Sequence, residues 1–437
     1  AIEFNLSKSS MIRSITFTFF VRLIAAVLNF LVIVLLSREL GPEGKGFCTR
    51  YLTIISNALI FCDFIGGPPL VFLSARYSVG SILLPSYLWS AVTSVFTTYV
   101  FFLFDQFTSN ELYILMILSF LNSCVAIHQN ILSGKMKFSR LNTIILVQSV
   151  VLFFVLRYLF EITTSVFELT PSPIHYLLAL GVSYGIAALV GFFFLLTLEK
   201  SGEIITFVKF FVQAFRYGFV NILGHLLQFI NQRLSYFLLN PNSLGVYSNA
   251  TSVGESLWLV SNSIATVQYG KISNTTQKEE AEKLSLFFLK LNFVLSCLAG
   301  LVLFFLQDSF FLWLFGNSFA GIHEILLYLV PGLIFYSGYL ILGHHFSGRG
   351  EFYKNLICIL AGLLFTATGV GLIFITNKGY TVYIAGAITS LAYMANFFVA
   401  LFLFQRESVF TLKQFLINRE DLVFLLRGFK KESDKTD

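Results

Sequence analysis

Apolar runs of about 20 residues recur along nearly the whole chain, and this pattern leaves few folds open to it. Of the 437 residues, 56% are hydrophobic and 12% are charged, whereas about 25% of an average soluble domain is charged. Within lipid, only a helix or a closed barrel satisfies every backbone polar group, and a helix needs about 20 apolar residues to cross. We therefore predict an all-α polytopic membrane protein with about twelve spans, at 13–36, 47–75, 82–104, 112–133, 140–160, 174–198, 213–239, 245–271, 284–306, 323–346, 353–376 and 380–404.

The distribution of basic residues predicts how these spans are oriented in the membrane. An even number of spans puts both termini on one side, and Lys and Arg concentrate at the termini and in the loops of that side. The positive-inside rule then places both termini in the cytoplasm. The net charge of +6 follows from this bias and does not indicate a nucleic-acid partner. The opposite loops and helix ends carry Arg38, Lys45, Arg50, Arg157 and Lys378.

The predicted spans divide the chain into two lobes of six helices each. We interpret residues 1–10 as a cloning remnant before Met11, and residues 11–198 as the first lobe. An interfacial cytoplasmic linker at 199–212 leads to a second lobe at 213–404 and a cytoplasmic tail at 405–437. The five cysteines lie in apolar segments without CxxC spacing, which is typical of core residues rather than of disulfides or metal ligands.

Two segments of the first lobe recur in the second, which indicates an internal repeat. The stretch 41–67 matches 240–266 at an offset of 199, and SGKMKF at 133–138 matches SGRGEF at 347–352 at an offset of 214. Six spans separate the copies, so both have the same orientation, and we expect a pseudo-twofold axis along the membrane normal. The first match pairs Pro42 with Pro241, Gly46 with Gly245, Thr49 with Ser248, Thr53 with Ser252 and Asp63 with Asn262.

Polar residues line one face of the first two helices of each half. They recur at helical spacing, which puts each set on a single face. Such faces are tolerated where they border a polar cavity or where they join packed helices, and the pattern alone leaves both readings open. The sets include Asn29 in the first helix, Asn221, His225, Gln228, Gln232 and Ser235 in the seventh, and Ser248, Ser252, Glu255, Asn262 and Thr266 in the eighth.

Four ionisable residues lie deep inside predicted spans: Arg22, Asp63, Arg233 and Glu255. An arginine stays protonated when it is buried and binds phosphate through two parallel hydrogen bonds, so Arg22 and Arg233 are candidate phosphate ligands. The alternative for Arg22 is an internal ion pair with Asp63. The two carboxyl groups are candidate sites for a coupling proton or sodium ion, the only cofactor that we expect.

The motifs LSRELGPEGKGF at 36–47 and NQRLSYFLLNPNSLGVYSNA at 231–250 resemble the polysaccharide-exporter branch of the multidrug/oligosaccharidyl-lipid/polysaccharide (MOP) superfamily, to which the Wzx-type O-antigen and capsule flippases belong. Asn231 and Gln232 depart from this family, which often has an acidic residue before the arginine that matches Arg233. The resemblance covers 11 to about 404 and implies alternating access of the two lobes in the bacterial inner membrane.

The implied substrate is an undecaprenyl-pyrophosphate-linked oligosaccharide that moves from the cytoplasmic to the periplasmic leaflet. The implied partners are the lipid bilayer, a polysaccharide polymerase and a chain-length protein, and the transporter itself would be a monomer. The polar and basic residues found above fit this substrate. We expect the pyrophosphate to bind at Arg22, Arg76 and Arg233. We expect the sugar to bind in a polar cavity formed by Asn29, Asn221, His225, Gln228, Gln232 and Ser252.

Two other functions are consistent with a polytopic helical chain. An ion-coupled exporter of drugs or metabolites would share the fold, although Arg22 and Arg233 disfavour cationic drugs. An integral-membrane glycan-processing enzyme would need catalytic residues on sizeable outer loops and a nucleotide site. The predicted outer loops are short and carry no such motif, so we do not expect an enzyme.

Overall fold

The computed structural model describes the backbone of residues 8–104, 108–198, 202–273, 277–376 and 379–408. These ranges contain helices and their connections, and no β-strand. Residues 1–7 of the predicted cloning remnant and most of the predicted tail lie outside the described residues, as does the side chain of Asn221. The helices are α1 (Lys8–Gly66), α2 (Pro68–Arg76), α3 (Val79–Phe104), α4 (Ser109–Gly134), α5 (Phe138–Ser165), α6 (Pro173–Leu196), α7 (Phe207–Leu238), α8 (Pro241–Glu255), α9 (Trp258–Ser273), α10 (Lys278–Phe305), α11 (Asp308–Phe315), α12 (Ile322–Gly348), α13 (Phe352–Ile375) and α14 (Val382–Glu407).

Nine helices in the described part of the chain are long and apolar enough to cross a membrane: α1, α3 to α6, α10 and α12 to α14. Because the candidate span on α1 continues into α2, to Arg76, it contains two of the twelve predicted spans. The nine therefore account for ten predicted spans, all except those at 213–239 and 245–271. Large apolar side chains such as Leu84, Phe104 and Leu364 are exposed on these helices, as expected for a surface that faces lipid. The chain is an all-α, multi-pass membrane protein.

The first predicted loop proves to be a kink within one long helix. Gly41 has φ 65° and ψ −176°, and the residues on both sides of it are helical. This backbone conformation favours glycine, and Pro42 begins the second arm of α1, where its missing N–H costs nothing. The predicted helix 47–75 is wrong as a continuous element because it breaks at Gly67, before Pro68 and Pro69 begin α2.

Three further boundaries differ from the prediction in the second half of the chain. The predicted helix 245–271 divides after Glu255, where the N–H groups of Ser256 and Leu257 bond three residues back instead of four. The predicted outer loop at 307–322 contains the short helix α11, and α7 begins at Phe207 rather than at 213. Periodicity does not reveal such breaks because apolar and polar residues continue at helical spacing across them.

The two copies of the second sequence match form the same turn. In the α4–α5 turn, Met136 has φ 56°, and in the α12–α13 turn the matched Gly350 has φ 76°. Three hydrogen bonds of the first turn recur at the offset of 214. They are Lys135 N to Ile131 O at 3.0 Å, Met136 N to Ser133 O at 2.9 Å and Lys137 N to Leu132 O at 2.8 Å, against Arg349 N to His345 O at 3.0 Å, Gly350 N to Ser347 O at 3.0 Å and Glu351 N to Phe346 O at 2.8 Å. The repeat predicted from SGKMKF and SGRGEF therefore has a structural counterpart.

The chain forms two compact units. Unit 1 contains the residues up to Phe229 together with Leu239–Ser248 and Phe311–Phe319, and unit 2 contains Ile230–Leu238, Asn249–Phe310 and the residues from Ala320 onward. In unit 1, one apolar cluster joins α1 to α4, α5 and α6 around Tyr51, Tyr176 and Leu177. In unit 2, α12 packs against α9, α10 and α14. Each unit thus has its own core of packed helices.

The segment before α7 is tied to the connection between α2 and α3. Ser78 N donates to Glu203 O at 2.9 Å, and Glu203 N donates to Arg76 O at 3.2 Å. Ile205 is buried, while Phe207 and Val208 are exposed. The described part of the predicted linker at 199–212 is therefore a short extended piece followed by the first turns of α7.

Candidate functional site

Arg233 and Glu255 form an ion pair with two parallel hydrogen bonds in unit 2. The two guanidinium nitrogens of Arg233 lie 2.9 and 3.0 Å from the two carboxylate oxygens of Glu255. Arg233 also donates to Tyr236 Oη at 2.8 Å, and its guanidinium lies 5.0 Å from the centre of that ring. The Tyr236 hydroxyl in turn lies 2.7 Å from Thr251 Oγ1. The predicted phosphate ligand and the predicted ion site of this half are thus bonded to each other.

An aromatic group lies beside this pair and was missed by the sequence reasoning. The Trp258 ring is 4.6 Å from Tyr336 and 5.7 Å from Tyr393, and the two tyrosine rings are 4.6 Å apart. Gln232 Nε2 donates to the Tyr336 hydroxyl at 3.2 Å. Trp258 is one of three tryptophans in the chain and begins α9 directly after the break at 256–257. A polar residue that faces aromatic rings suits a sugar, since amides bind hydroxyls and rings pack against the pyranose face.

The other residues predicted to line the sugar-binding cavity, and Ser235 of the seventh-helix face, lie in different surroundings. His225 is exposed. Both amide atoms of Gln228 are buried and have no hydrogen-bond partner. Ser235 lies 2.8 Å from the hydroxyl of Tyr380, and Ser252 on α8 is half-buried. Gln232 thus reaches the aromatic group through a hydrogen bond, whereas the amide of Gln228 has no partner among the described residues.

In unit 1, the predicted ionisable residues have no ion pair with any described residue. Arg22 and Asn29 are exposed on the first arm of α1, and Asp63 is half-buried on the second arm. An Arg22–Asp63 pair is not present among the described residues. Arg76 is exposed at the end of α2, with its guanidinium 4.2 Å from the centre of the Phe72 ring. Within the described part of the chain, both guanidinium groups are exposed and neither forms an ion pair.

Electrostatically, the two units offer different chemistry. Arg233 and Glu255 neutralise each other, and a paired arginine has few donors left for a phosphate. Arg22 has no acidic partner among the residues that the structure describes, and its exposed neighbours Leu23 and Ile24 are apolar. Among the described side chains no group of three or more His, Cys, Asp or Glu residues could hold a metal ion.

Comparison with known proteins identifies the fold. No protein-family model and no curated protein sequence matches the chain. Among solved structures, it is similar to an inward-facing multidrug-resistance MATE transporter of the MOP superfamily, with a TM-score of 0.64 at 15% identity over 87% of this chain and 94% of the other. It is equally similar to the lipid II flippase MurJ in an inward closed conformation, with a TM-score of 0.64 at 17% identity over 95% and 93%. A third similar structure is the MATE transporter ClbM in complex with Rb+, with a TM-score of 0.58 at 13% identity over 91% and 94%.

These likenesses cover nearly the whole of each chain at identities that establish a shared fold. The all-α, two-lobed architecture predicted from the sequence is the architecture of these transporters. The three proteins are described as transporters or as a flippase, and none is described as an enzyme. The chain therefore has the fold that these three transporters share, while the substrate is not given by the fold.

Proposed function

We propose that this protein is a flippase that moves an undecaprenyl-pyrophosphate-linked oligosaccharide from the cytoplasmic to the periplasmic leaflet of a bacterial inner membrane. Its product would serve the synthesis of a cell-surface polysaccharide such as an O-antigen or a capsule. The observation that carries the proposal is the isolated guanidinium of Arg22 on an apolar helix, in a chain whose fold is shared with a lipid II flippase.

The residues divide into two roles under this proposal. Arg22, with Arg76, binds the pyrophosphate, because a guanidinium offers a planar pair of donors that matches a phosphate. Gln232 supplies hydrogen bonds to sugar hydroxyls beside the rings of Tyr336 and Trp258 in unit 2. Arg233 then acts as a structural partner of Glu255 rather than as a phosphate ligand, which revises the role that we predicted for it from the sequence.

Flux of a lipid-linked oligosaccharide in proteoliposomes tests the proposal directly. The wild-type protein should move the labelled lipid across the bilayer, and Arg22→Ala should slow this movement about 10- to 100-fold, as expected for the loss of hydrogen bonds to a charged group. Arg22→Lys should recover part of the rate because it keeps the charge without the planar fork. Arg157→Ala is the matched control, since Arg157 is also an exposed arginine on a spanning helix.

A cell-based experiment gives an independent answer. Deletion of the gene should cause lipid-linked repeat units to accumulate on the inner leaflet, and Arg22→Ala should fail to reverse the accumulation. Full recovery of surface polysaccharide by Arg22→Ala would remove Arg22 from the site.

The second candidate function is ion-coupled export of a drug or metabolite. It is favoured by the likeness to two MATE transporters and by the half-buried carboxyl of Asp63. Gradient-driven uptake of a cationic dye without any flux of lipid-linked glycan would support it over the flippase.

A further inference from the structure

Four helices of unit 2 surround a small recess beside the turn between α12 and α13. Five charged side chains line it: Lys278 and Glu282 of α10, Arg349 and Glu351 of the turn, and Lys354 of α13. The turn joins two candidate membrane spans, which end at Gly348 and begin at Phe352. The recess therefore lies where the hydrocarbon of a bilayer gives way to headgroups and water.

Four of these five charges form two ion pairs. Lys354 Nζ lies 2.7 Å from Glu351 Oε2 and 5.3 Å from the centre of the Phe346 ring, and the lysine side chain is only 2% exposed. Lys278 Nζ lies 3.9 Å from Glu282 Oε1, and the lysine side chain is 51% exposed. Each pair is neutral, so the four charges offset one another. The first pair is fixed by burial, whereas the second is loose.

Arg349 supplies the fifth charge, and no described residue offsets it. Its backbone N–H donates to the carbonyl of His345 at 3.0 Å, but its guanidinium forms no hydrogen bond or ion pair within the described part of the chain. The residue is half-buried, so water reaches its guanidinium only in part. A positive charge in this position attracts an anion.

The matched turn of unit 1 uses its basic side chains within the protein. Lys135, which matches Arg349 at the offset of 214, donates to the carbonyl of Tyr77 at 3.4 Å. Arg140, which matches Lys354, donates at 3.1 Å to a carbonyl in the last turn of α6. Such carbonyls have no partner within their own helix, and a cation stabilises them. The same turn thus binds protein carbonyls in unit 1 and presents an unpaired arginine in unit 2.

The surroundings of the recess suit the headgroup of a lipid. Phe352 and Tyr353, the first residues of α13, are 45% and 57% exposed. Exposed aromatic residues at the end of a span are typical of the boundary between lipid and water. Phe346, Leu403 and Phe404 form an apolar wall of the recess, against which the glycerol part of a lipid could pack.

The size of the recess limits how a ligand binds there. The enclosed space is about 10 Å³, which is enough for one water molecule. A phosphate group is larger, so it would lie across the mouth of the recess, between the guanidinium of Arg349 and the exposed ammonium of Lys278. A guanidinium makes two parallel hydrogen bonds to a phosphate, and a loosely paired ammonium can turn to bind a further oxygen.

We propose that Arg349 and Lys278 form a binding site for a phosphate group, supplied by an anionic phospholipid of the surrounding bilayer. Basic pockets between spanning helices bind lipid headgroups in this way. The site lies entirely in unit 2, whereas Arg22 and Arg76 belong to unit 1. It is therefore additional to the site proposed for the transported lipid, and its test does not depend on the transported substrate.

Titration of the full-length protein with dioctanoyl phosphatidylglycerol, followed by native mass spectrometry, measures the binding. Arg349→Gln should raise the dissociation constant about tenfold, because it removes hydrogen bonds made by a charged group. Arg349→Lys should have a smaller effect, since it keeps the charge without the planar fork. Lys278→Gln should raise the constant about threefold, because an exposed charge contributes less.

Two lysine variants control for a general loss of charge. Lys135→Gln changes the matched turn of unit 1, and Lys283→Gln removes an exposed lysine of α10 that does not line the recess. Both should leave the dissociation constant unchanged. Without lipid, Arg349→Gln should unfold at the temperature of the wild type, since its guanidinium has no partner among the described residues. This measurement separates a loss of binding from a loss of folding.

Two further ligands identify the source of the phosphate. Dioctanoylglycerol has the same acyl chains without a phosphate, and its binding should not depend on Arg349. Inorganic phosphate should compete weakly, because it gains nothing from the apolar wall. Displacement of the lipid by an equal concentration of inorganic phosphate would assign the site to a soluble phosphate. Equal binding of phosphatidylglycerol by the wild type and by Arg349→Gln would refute the site.

Discussion

The ionisable residues inside the two units have opposite surroundings. In unit 1, Arg22 is exposed and Asp63 is half-buried, and neither has an ion pair with a described residue. In unit 2, Arg233 and Glu255 are joined by two hydrogen bonds of 2.9 and 3.0 Å, and their side chains are 24% and 22% exposed. Arg22 and Asp63 are therefore unpaired with respect to the described residues, whereas Arg233 and Glu255 join α7 to α8.

This difference teaches that the position of a charge in a spanning helix does not by itself indicate a ligand site. An isolated ion in an apolar setting is costly, so it persists where it binds something or reaches water. A paired ion is satisfied already, and removing one partner leaves the other uncompensated. The predictions below test this contrast, in order of the expected change in the free energy of unfolding.

Glu255→Ala should have the largest effect, because it leaves the guanidinium of Arg233 partly buried without a counter-ion. We expect a loss of roughly 2–3 kcal/mol in the free energy of unfolding, slightly below the range for fully buried pairs. Thermal unfolding in detergent measures it, and the double variant Glu255→Ala/Arg233→Met should recover most of the loss. A neutral result for the single variant would mean that Arg233 has another partner.

Arg233→Lys should have a smaller effect of about 1–2 kcal/mol on the free energy of unfolding. Lysine keeps the positive charge, but it cannot make two parallel hydrogen bonds to Glu255 and also donate to Tyr236. The same unfolding assay applies, with Arg22→Lys as the matched control. Because Arg22 has no protein partner among the described residues, its variant should unfold like the wild type, and equal losses in the two variants would erase the contrast between the units.

The two matched turns allow opposite substitutions, with a glycine introduced in the turn of unit 1 and removed from the turn of unit 2. Met136→Gly should stabilise the protein by about 0.5–1 kcal/mol, since a non-glycine residue at φ 56° is strained. Gly350→Ala should destabilise it by a similar amount, because alanine would have to adopt φ 76°. Chemical denaturation curves of the two variants should move in opposite directions, and shifts in the same direction would show that the turns are not equivalent.

Asp63→Asn should have the smallest effect on stability, within about 0.5 kcal/mol, because the carboxyl of Asp63 has no hydrogen-bond partner among the described residues. If Asp63 is the coupling site, transport by this variant should no longer respond to an imposed proton or sodium gradient. Flux measured with and without each gradient is the test, and Asn29→Ala provides a polar control on the same helix. A gradient response that survives intact would exclude Asp63 as that site.

Much of the architecture follows from the sequence alone. Long apolar runs can only be spanning helices, and the match of SGKMKF with SGRGEF predicts two equivalent turns, which the hydrogen bonds of both turns confirm. The breaks at Gly67 and at 256–257 were missed. The first is signalled by the two prolines that follow it, while the second has no comparable marker in the sequence.

The site is less predictable than the fold for a physical reason. Periodicity assigns Arg233 and Glu255 to faces of their helices, but it does not say which faces meet. The two residues are 22 positions apart on different helices, and their contact depends on the packing of α7 against α8. Trp258 was missed because an aromatic residue in an apolar run has no distinctive pattern.

Gly46 lies against the carbonyl of Pro241, and the matched Gly245 lies against the carbonyl of Pro42. These reciprocal contacts have a consequence for the evolution of the molecule. A single half-length chain with one such glycine and one such proline would form both contacts at once by pairing with a second copy of itself. After duplication and fusion of the two copies, a change at either glycine would still break half of the junction. Substitution is therefore restricted at Pro42, Gly46, Pro241 and Gly245. One short motif, present twice, is sufficient to specify all of these contacts.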